Sequence, residues 1–252
     1  MCNQKQKCID TMTDRFSSLN LEFVSGYPSL ANEIDESDTK KIITVIDRNV
    51  PSAKGKLKAD GSVTIDTLER DVKREIAQYA AGPMVGAWAE ETCWDNDPLL
   101  RIFLTIQAWG GQTGRQIFVQ KGGLNWPEVR PRYKRLVDVC TNKKSTIEDI
   151  QDAGILFDYH VYGAGISFIT KHIHFWTQVV RGEDSLPIFD DIMATGLGVP
   201  NNWKHVDCYW EGMQQLWNRH DKDPWPENME SFERQLFKHF INMNKGSDKQ
   251  KA

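Results

Sequence analysis

Apolar side chains recur at helical spacing along most of the chain, and this pattern predicts an all-α fold with few or no short strands. The strongest case is segment 166–180, whose apolar stripe repeats every three or four residues: Ile166, Ile169, Ile173, Trp176 and Val180. The opposite face of this helix carries Ser167 and Lys171. Two short segments, 21–24 and 117–119, favour brief strands that are too few to build a sheet-based core.

Residues typical of helix starts precede four other periodic segments: Ser37 or Asp35 for the first, then Asp66, Asp97 and Ser145. Asp66 and Ser145 are each followed by Glu three residues later, as in a capping box, and Asp97 precedes a proline. Two amphipathic segments, 203–218 and 229–242, close the chain. We therefore expect an N-terminal helical segment over 1–95, a principal helical region over 96–245, and disorder at about 1–12 and 246–252.

Basic side chains concentrate in one stretch of an otherwise acidic chain. The net charge is −4, yet residues 115–144 carry +6 and the remainder carries −10. Arg115, Arg130 and Arg132 belong to this stretch, and aromatic residues are interleaved with them. Such an island fits a surface that faces DNA phosphates, and it fits a solvated helix face equally well.

Cysteine usage and the lack of long apolar segments indicate a cytoplasmic protein. Five cysteines are scattered without a C-x-x-C pair, which predicts reduced and mostly buried thiols. No run of about 18 apolar residues occurs, and the N-terminus lacks the apolar core of a signal peptide. We expect a monomer in the cytoplasm that has no membrane partner.

A glycine-rich turn at 162–165, Tyr-Gly-Ala-Gly, precedes the helix over 166–180. Gly163 and Gly165 permit positive φ angles and leave backbone N–H groups uncovered, and the N-terminus of the following helix adds further N–H donors. The turn therefore predicts a phosphate-binding site. Asp190 follows Lys171 by 19 residues, at the start of the next predicted helix.

The chain resembles the helix-hairpin-helix DNA glycosylases, and within them the bacterial stand-alone proteins of the 8-oxoguanine-glycosylase-like type. Four segments carry the resemblance: WGGQTGR at 109–115, FITKHIHF at 168–175, LPIFDD at 186–191 and SFERQLF at 231–237. It covers about 98–240 and gives no account of the first ninety residues. It implies two helical lobes with the active site between them, a double-stranded DNA substrate containing a modified base, and no metal or organic cofactor.

The resemblance and the spacing assign catalytic roles to three residues. Better-known members carry their catalytic lysine two residues after the last hairpin glycine, where this chain has Ser167. Lys171 lies one helical turn later on the same face and keeps the lysine–aspartate spacing, so we choose it. A carboxylate from Asp190, or from its rival Asp191, would stabilise the oxocarbenium ion formed as the base leaves. Either aspartate would alternatively cap the next helix.

Lys171 would attack the sugar and add lyase activity if burial keeps its amine neutral. A nearby Asp190 carboxylate opposes that change. The alternative is a structural lysine, whose aliphatic chain lies along the aromatic stripe while its ammonium group reaches water.

A base must leave the duplex before excision, which requires flat apolar walls around it. Four aromatic residues are candidates for these walls, although aromatics at helical spacing are usually core: Trp109, Tyr162, Phe168 and Trp176. Gln112 is a candidate to fill the gap left in the base stack. Gly163, Gly165, Ser167, Arg115, Arg130 and Arg132 are the candidate DNA contacts. His172 and His174 diverge on a helix and do not complete a metal site.

The sequence leaves the identity of the base open. Oxidised guanine is what the resemblance implies, and hypermodified bases of phage DNA, removed in antiviral defence, are an alternative. A catalytically inactive DNA-binding or protein-interaction module is the alternative from another class.

Overall fold

The computed structural model describes residues 2–25, 36–57, 64–82, 97–111, 114–119, 123–182, 185–219 and 224–249, and this part of the chain contains helices and no strand. The helices are α1 (Cys2–Ser17), α2 (Glu36–Asn49), α3 (Ile65–Ala80), α4 (Pro98–Trp109), α5 (Gln116–Val119), α6 (Trp126–Thr141), α7 (Ile147–His160), α8 (Ile166–Arg181), α9 (Asp191–Gly196), α10 (Val206–Trp217) and α11 (Met229–Lys249). Short 3₁₀ turns occur at Pro51–Ala53 and Trp203–His205. The all-α class is therefore confirmed.

Helix α8 lies at the centre of the packing and contacts α3, α4, α6 and α7. The middle of its apolar stripe, Ile169, Ile173 and Trp176, is buried, whereas Ile166 and Val180 at the two ends are partly buried. The neighbouring faces that carry Phe168, Phe175 and Thr177 are buried as well. Helix α1 packs along α10, α2 packs against α4 and α5, and α9 packs against α11. Buried side chains from Ile9 in α1 to Phe240 in α11 form one continuous core. The N-terminal helices thus share the core of the region that follows them.

Several local predictions are wrong. The run at 21–24 forms no strand, because the amide of Gln235 bonds both the N–H and the C=O of Val24 and takes the place of a neighbouring strand. The run at 117–119 lies in helix α5. The start of the chain is helical rather than disordered, since Met12 is fully buried against α10. At the other end, helix α11 continues through Lys249 and past the predicted boundary of the tail.

The helices begin with capping residues of the expected kind, but two of the caps are residues other than those predicted. Asp97 caps α4 and accepts a hydrogen bond from the N–H of Leu100, as predicted. Helix α3, however, has its capping box between Thr64 and Thr67, and α7 has its box between Thr146 and Asp149. None of the helices within the described ranges is long and apolar enough to cross a membrane.

Candidate active site

A cavity of about 270 Å³ opens between the end of α4, the middle of α8, the start of α9 and one face of α11. Six of its lining residues are ionisable: Lys171, His174, Asp190, Glu230, Glu233 and Arg234. The remaining walls are mainly apolar: Trp109, Ile188, Ile192, Met193, Phe237 and Ile241. The cavity therefore combines the apolar walls that suit a flat ligand with charged groups at several positions.

Lys171 projects into this cavity from α8 and is partly buried. Its aliphatic stem crosses Gly110 so closely that a Cβ atom on that glycine would lie 3.0 Å from the lysine Cδ. Gly110 of the W-G-G turn thus leaves room for the lysine. Burial lowers the pKa of Lys171, and the charge of Asp190 opposes this shift. The lowered pKa increases the share of neutral amine, the form that acts as a nucleophile.

Asp190 is held at the N-terminus of α9, where its Oδ1 accepts a hydrogen bond of 3.0 Å from the N–H of Met193. Burial raises the pKa of Asp190, while the charge of Lys171 and the backbone donors of Met193 and Ile192 lower it. Asp191 is exposed and does not line the cavity. Asp190 therefore both caps the helix and lines the cavity, and Asp191 does not line it.

The segment that ends at Asp190, residues 185–190, has no regular secondary structure, and side chains bond its backbone. Thr177 and His174 bond the two backbone groups of Leu186, and Trp210 Nε1 donates to the Pro187 carbonyl. Further along, Glu233 accepts the Ile188 N–H at 2.7 Å, and the Tyr209 hydroxyl donates to the Ile188 carbonyl.

Thr170 makes the last of these contacts, next to Asp190. Its hydroxyl accepts the N–H of Phe189 at 3.2 Å and donates to the Phe189 carbonyl at 3.1 Å. A segment without regular structure is thereby fixed by neighbouring helices on both sides of its chain. This arrangement sets the position of the Asp190 carboxylate before any ligand arrives, which is what catalysis by preorganised charge requires.

His174 and Glu233 add two further polar groups to the cavity. The Nδ1 of His174 donates to the Leu186 carbonyl, so the neutral ring presents Nε2 as an acceptor. Burial lowers the pKa of His174 to about 4, and burial raises the pKa of Glu233 well above its usual value. One Glu233 oxygen accepts the Ile188 N–H, and the other lies 3.6 Å from His174 Nδ1. A neutral Glu233 offers a hydroxyl donor to a ligand.

Two cations and two carboxylates bind α3 to α11 beside the cavity. Glu69 contacts both Lys73 and Arg234, and Lys73 also lies 2.8 Å from Glu230. Burial raises the pKa of Glu230 to about 7, and Arg234 opposes that shift. Sequence reasoning missed Glu230, Glu233 and Arg234 as site residues. Their positions in the sequence could have indicated a role in the site, because all three lie on the apolar face of an amphipathic helix, on the same side as Phe237.

The glycine hairpin adopts the predicted backbone conformation but is less open than expected. Gly163 and Gly165 have φ angles of 81° and 69°. Gly163 packs against α5, since a Cβ atom there would lie 2.6 Å from Gln116 Cβ. The Gly165 N–H, however, donates to the carboxylate of Asp158 at 3.1 Å, so this donor is not uncovered. No side chain caps the N-terminus of α8, where Ser167 lies partly buried and outside the cavity lining.

Only one of the four predicted base-pocket residues lines the cavity. Trp109 does so, and Phe175 fixes it in an edge-to-face contact with ring centroids 4.9 Å apart. Phe168 lies in the core, 5.4 Å from the ring of Phe103, and Trp176 donates to the buried hydroxyl of Tyr133. Tyr162 is 74% exposed on the hairpin. These three residues do not form a pocket.

The basic island is partly neutralised by its neighbours. Arg130 pairs with Asp97 at 2.8 Å, and Arg132 pairs with Glu128 one helical turn away. Both contacts fit the solvated-face interpretation better than a DNA-facing one. Arg115 instead lies in the turn that packs against the hairpin, between Gly114, which contacts Phe168, and Gln116. Gln112 lies outside the described residues.

Cys8 and Cys208 form a disulfide that joins α1 to α10, so the prediction of reduced thiols is wrong for this pair. Cys140 is free and buried. The two bonded residues are 200 positions apart, and sequence spacing gave no sign that the fold brings them together. Among the described residues no cluster of three or more His, Cys, Asp or Glu side chains is arranged to hold a metal ion.

No family model, curated protein or solved structure matches this chain. The interpretation of the cavity therefore rests on its own residues and on their chemistry.

Proposed function

We propose that the protein is a DNA glycosylase that binds an extruded base in the cavity between α4, α8, α9 and α11. The observation that carries this proposal is the meeting of Lys171 and Asp190 in one partly buried cavity beside the Trp109 ring. An amine and a carboxylate that influence each other's pKa are the two groups that this chemistry needs.

The reaction begins as the bond between the base and the sugar C1′ lengthens and positive charge develops on the sugar. The carboxylate of Asp190 stabilises this charge. The neutral Lys171 amine attacks C1′ while the base leaves with the electrons of the glycosidic bond, and the base takes up the proton that the attached nitrogen loses. The C1′–O4′ bond of the adduct then breaks, O4′ takes up a proton to become a hydroxyl, and nitrogen and C1′ form the double bond of a Schiff base. Loss of a proton from C2′ expels the 3′ phosphate and cleaves the strand, which is the lyase activity.

The other polar groups of the cavity suit recognition of the base. Trp109 provides a flat face, Glu233 in its neutral form provides a donor, and the neutral ring of His174 provides an acceptor. Oxidised guanine carries both hydrogen-bond acceptors and donors on its edges, which match these two groups, and so do modified pyrimidines. The same chemistry therefore serves repair of oxidised DNA or removal of hypermodified bases from phage DNA.

A two-lobed organisation follows from this proposal. The lobe with the hairpin would contain α4 to α8, and the lobe on the other side of the cavity would contain α9 to α11 with α1. DNA would approach along the hairpin and the turn that holds Arg115, because these two features pack against each other.

The test is to incubate the purified protein with duplex oligonucleotides that each carry one modified base, and then to reveal abasic sites with alkali. We expect cleavage for at least one duplex, and trapping of the protein to that duplex by borohydride. The variant K171A should lose trapping, whereas K134A, which removes an exposed lysine on α6, should retain it. A wild-type protein that leaves every duplex intact would contradict the proposal.

A further inference from the structure

Helix α2 and the turn that precedes α5 line a second, solvent-open cavity of about 270 Å³. Its lining contains three cations, Lys41, Arg48 and Arg115, together with Thr44, and no acidic residue among the described positions. Lys41, Thr44 and Arg48 are spaced by three and four residues, so they form one stripe along the helix. All three side chains of the cations are exposed to solvent.

The scaffold under this stripe is fixed. Ile42 and Ile46 of α2 are fully buried, and the helix packs against α4 and α5. A turn glycine lies against each end of α2. A Cβ atom on Gly111 would be 3.6 Å from Asp38 Cβ, and one on Gly123 would be 3.1 Å from the Asn49 carbonyl. The cations are therefore presented by a rigid element.

The position of the stripe relates it to the candidate active site. Gly110 contacts the aliphatic part of the Lys171 side chain. The next residue, Gly111, contacts Asp38 of α2, one helical turn before Lys41. Arg115 is followed by Gln116, which contacts Gly163 of the hairpin. The basic cavity thus lies next to the turn that connects the base cavity with the hairpin.

We propose that Lys41, Thr44 and Arg48 of α2, together with Arg115, bind a phosphate of the DNA strand that flanks the extruded nucleotide. Phosphate oxygens accept hydrogen bonds from guanidinium, ammonium and hydroxyl groups, and this cavity offers all three kinds of donor. The contact between Lys41 and Asp38, at 2.8 Å, is an exposed ion pair of the kind that contributes little and exchanges readily. The choice of DNA as the source of the phosphate rests on the proposed function.

Salt dependence of binding to an unmodified duplex tests this site. Each lost phosphate contact lowers the slope of log K against log salt by about 0.9. We expect R48Q and K41Q each to lower the slope, the double variant R48Q/K41Q to lower it by up to about 0.9, and binding to weaken equally for modified and unmodified duplexes. The matched control is K40Q, since Lys40 is an exposed cation on the same helix and does not line the cavity.

A second arm distinguishes a DNA phosphate from a free anion. Protection of the wild type against thermal unfolding by inorganic phosphate, lost in R48Q while the DNA slopes stay equal, would assign the cavity to a small anion and overturn the proposal. Equal slopes for R48Q, K41Q and K40Q would overturn it as well. Failure of the glycosylase proposal is seen separately, because the slopes do not depend on base release: a lowered slope without excision supports the phosphate site alone.

Discussion

At the scale of single residues, the site depends on small adjustments of packing around ionisable groups. Lys171 and His174 are the residues of α8 that line the cavity, and Gly110 makes room for the aliphatic part of the lysine side chain. Asp190 and Glu233 are carboxyl groups whose pKa values burial raises. Their chemistry therefore follows from their surroundings more than from residue type.

The variant G110A tests the space over which Lys171 lies. Gly110 has a φ angle of −71°, so alanine meets no backbone strain there, but its Cβ would press on the lysine Cδ. We expect base release to fall by roughly 10- to 100-fold, because a small displacement of a reacting group has effects of that size. Thermal unfolding should change little. Wild-type kinetics in G110A would show that the lysine position is unimportant.

Glu233 should make stability depend on pH. Its pKa is raised in the folded state, so the stability that the neutral carboxyl provides is present below the unfolded pKa of about 4.5 and is lost as pH rises toward the folded pKa. The variant E233Q stays neutral, and its stability relative to wild type should increase above pH 4.5 by up to about 1.4 kcal/mol per pH unit. Urea unfolding at pH 5 and pH 8 measures this difference, and a constant difference would contradict the account.

At the scale of secondary-structure elements, the segment 185–190 determines where Asp190 lies. Its backbone groups are satisfied by side chains from α8, α10 and α11 rather than by another strand or helix. Such a segment keeps its shape only while those side chains are present, because unpaired buried backbone groups are costly.

The variant T170V removes the hydroxyl that bonds both backbone groups of Phe189 with little change of shape. We expect a loss of about 1–3 kcal/mol in the free energy of unfolding and a fall in base release, since Asp190 is the next residue. The control is T141V, where the hydroxyl bonds only to carbonyls three and four residues earlier in its own helix. Equal effects of the two substitutions would argue against a positioning role for Thr170.

Elements were more predictable from the sequence than their connections. The 3.6-residue periodicity located the helices that build the core, and the Asp97-Pro98 pair marked the start of α4. Two helices are capped by other residues than predicted, because Thr64 and Thr146 cap a helix as well as the predicted Asp66 and Ser145 would. The strand at 21–24 failed because a side-chain amide satisfies that backbone. Glu233 was missed because periodicity assigns the buried face of a helix to apolar residues.

At the scale of the whole molecule, contacts between distant parts of the chain hold the N-terminal helices to the rest. Helix α1 lies along α10, where Gly212 makes room for Met12 and the Cys8–Cys208 disulfide joins the two helices. Neither contact is readable from local patterns, since the partners are about 200 residues apart.

Reduction of this disulfide should lower the stability of the whole protein. Cross-links that close long loops typically contribute about 2–4 kcal/mol, so we expect a clear fall in the unfolding temperature with reductant. The double variant C8S/C208S should unfold at the lower temperature and should not respond to reductant. An unfolding temperature of the wild type that reductant leaves unchanged would show that the disulfide does not stabilise the fold.

The central claim is that Asp190 acts on a nucleotide held in the cavity with Lys171, and single-turnover base release by D190N tests it most directly. Asparagine caps helices as well as aspartate does, so α9 should persist and DNA binding should be retained. We predict that D190N loses roughly 100-fold or more in the rate of base release, whereas D191N, altered at an exposed neighbour, releases the base normally. Base release by D190N at the wild-type rate would contradict the account.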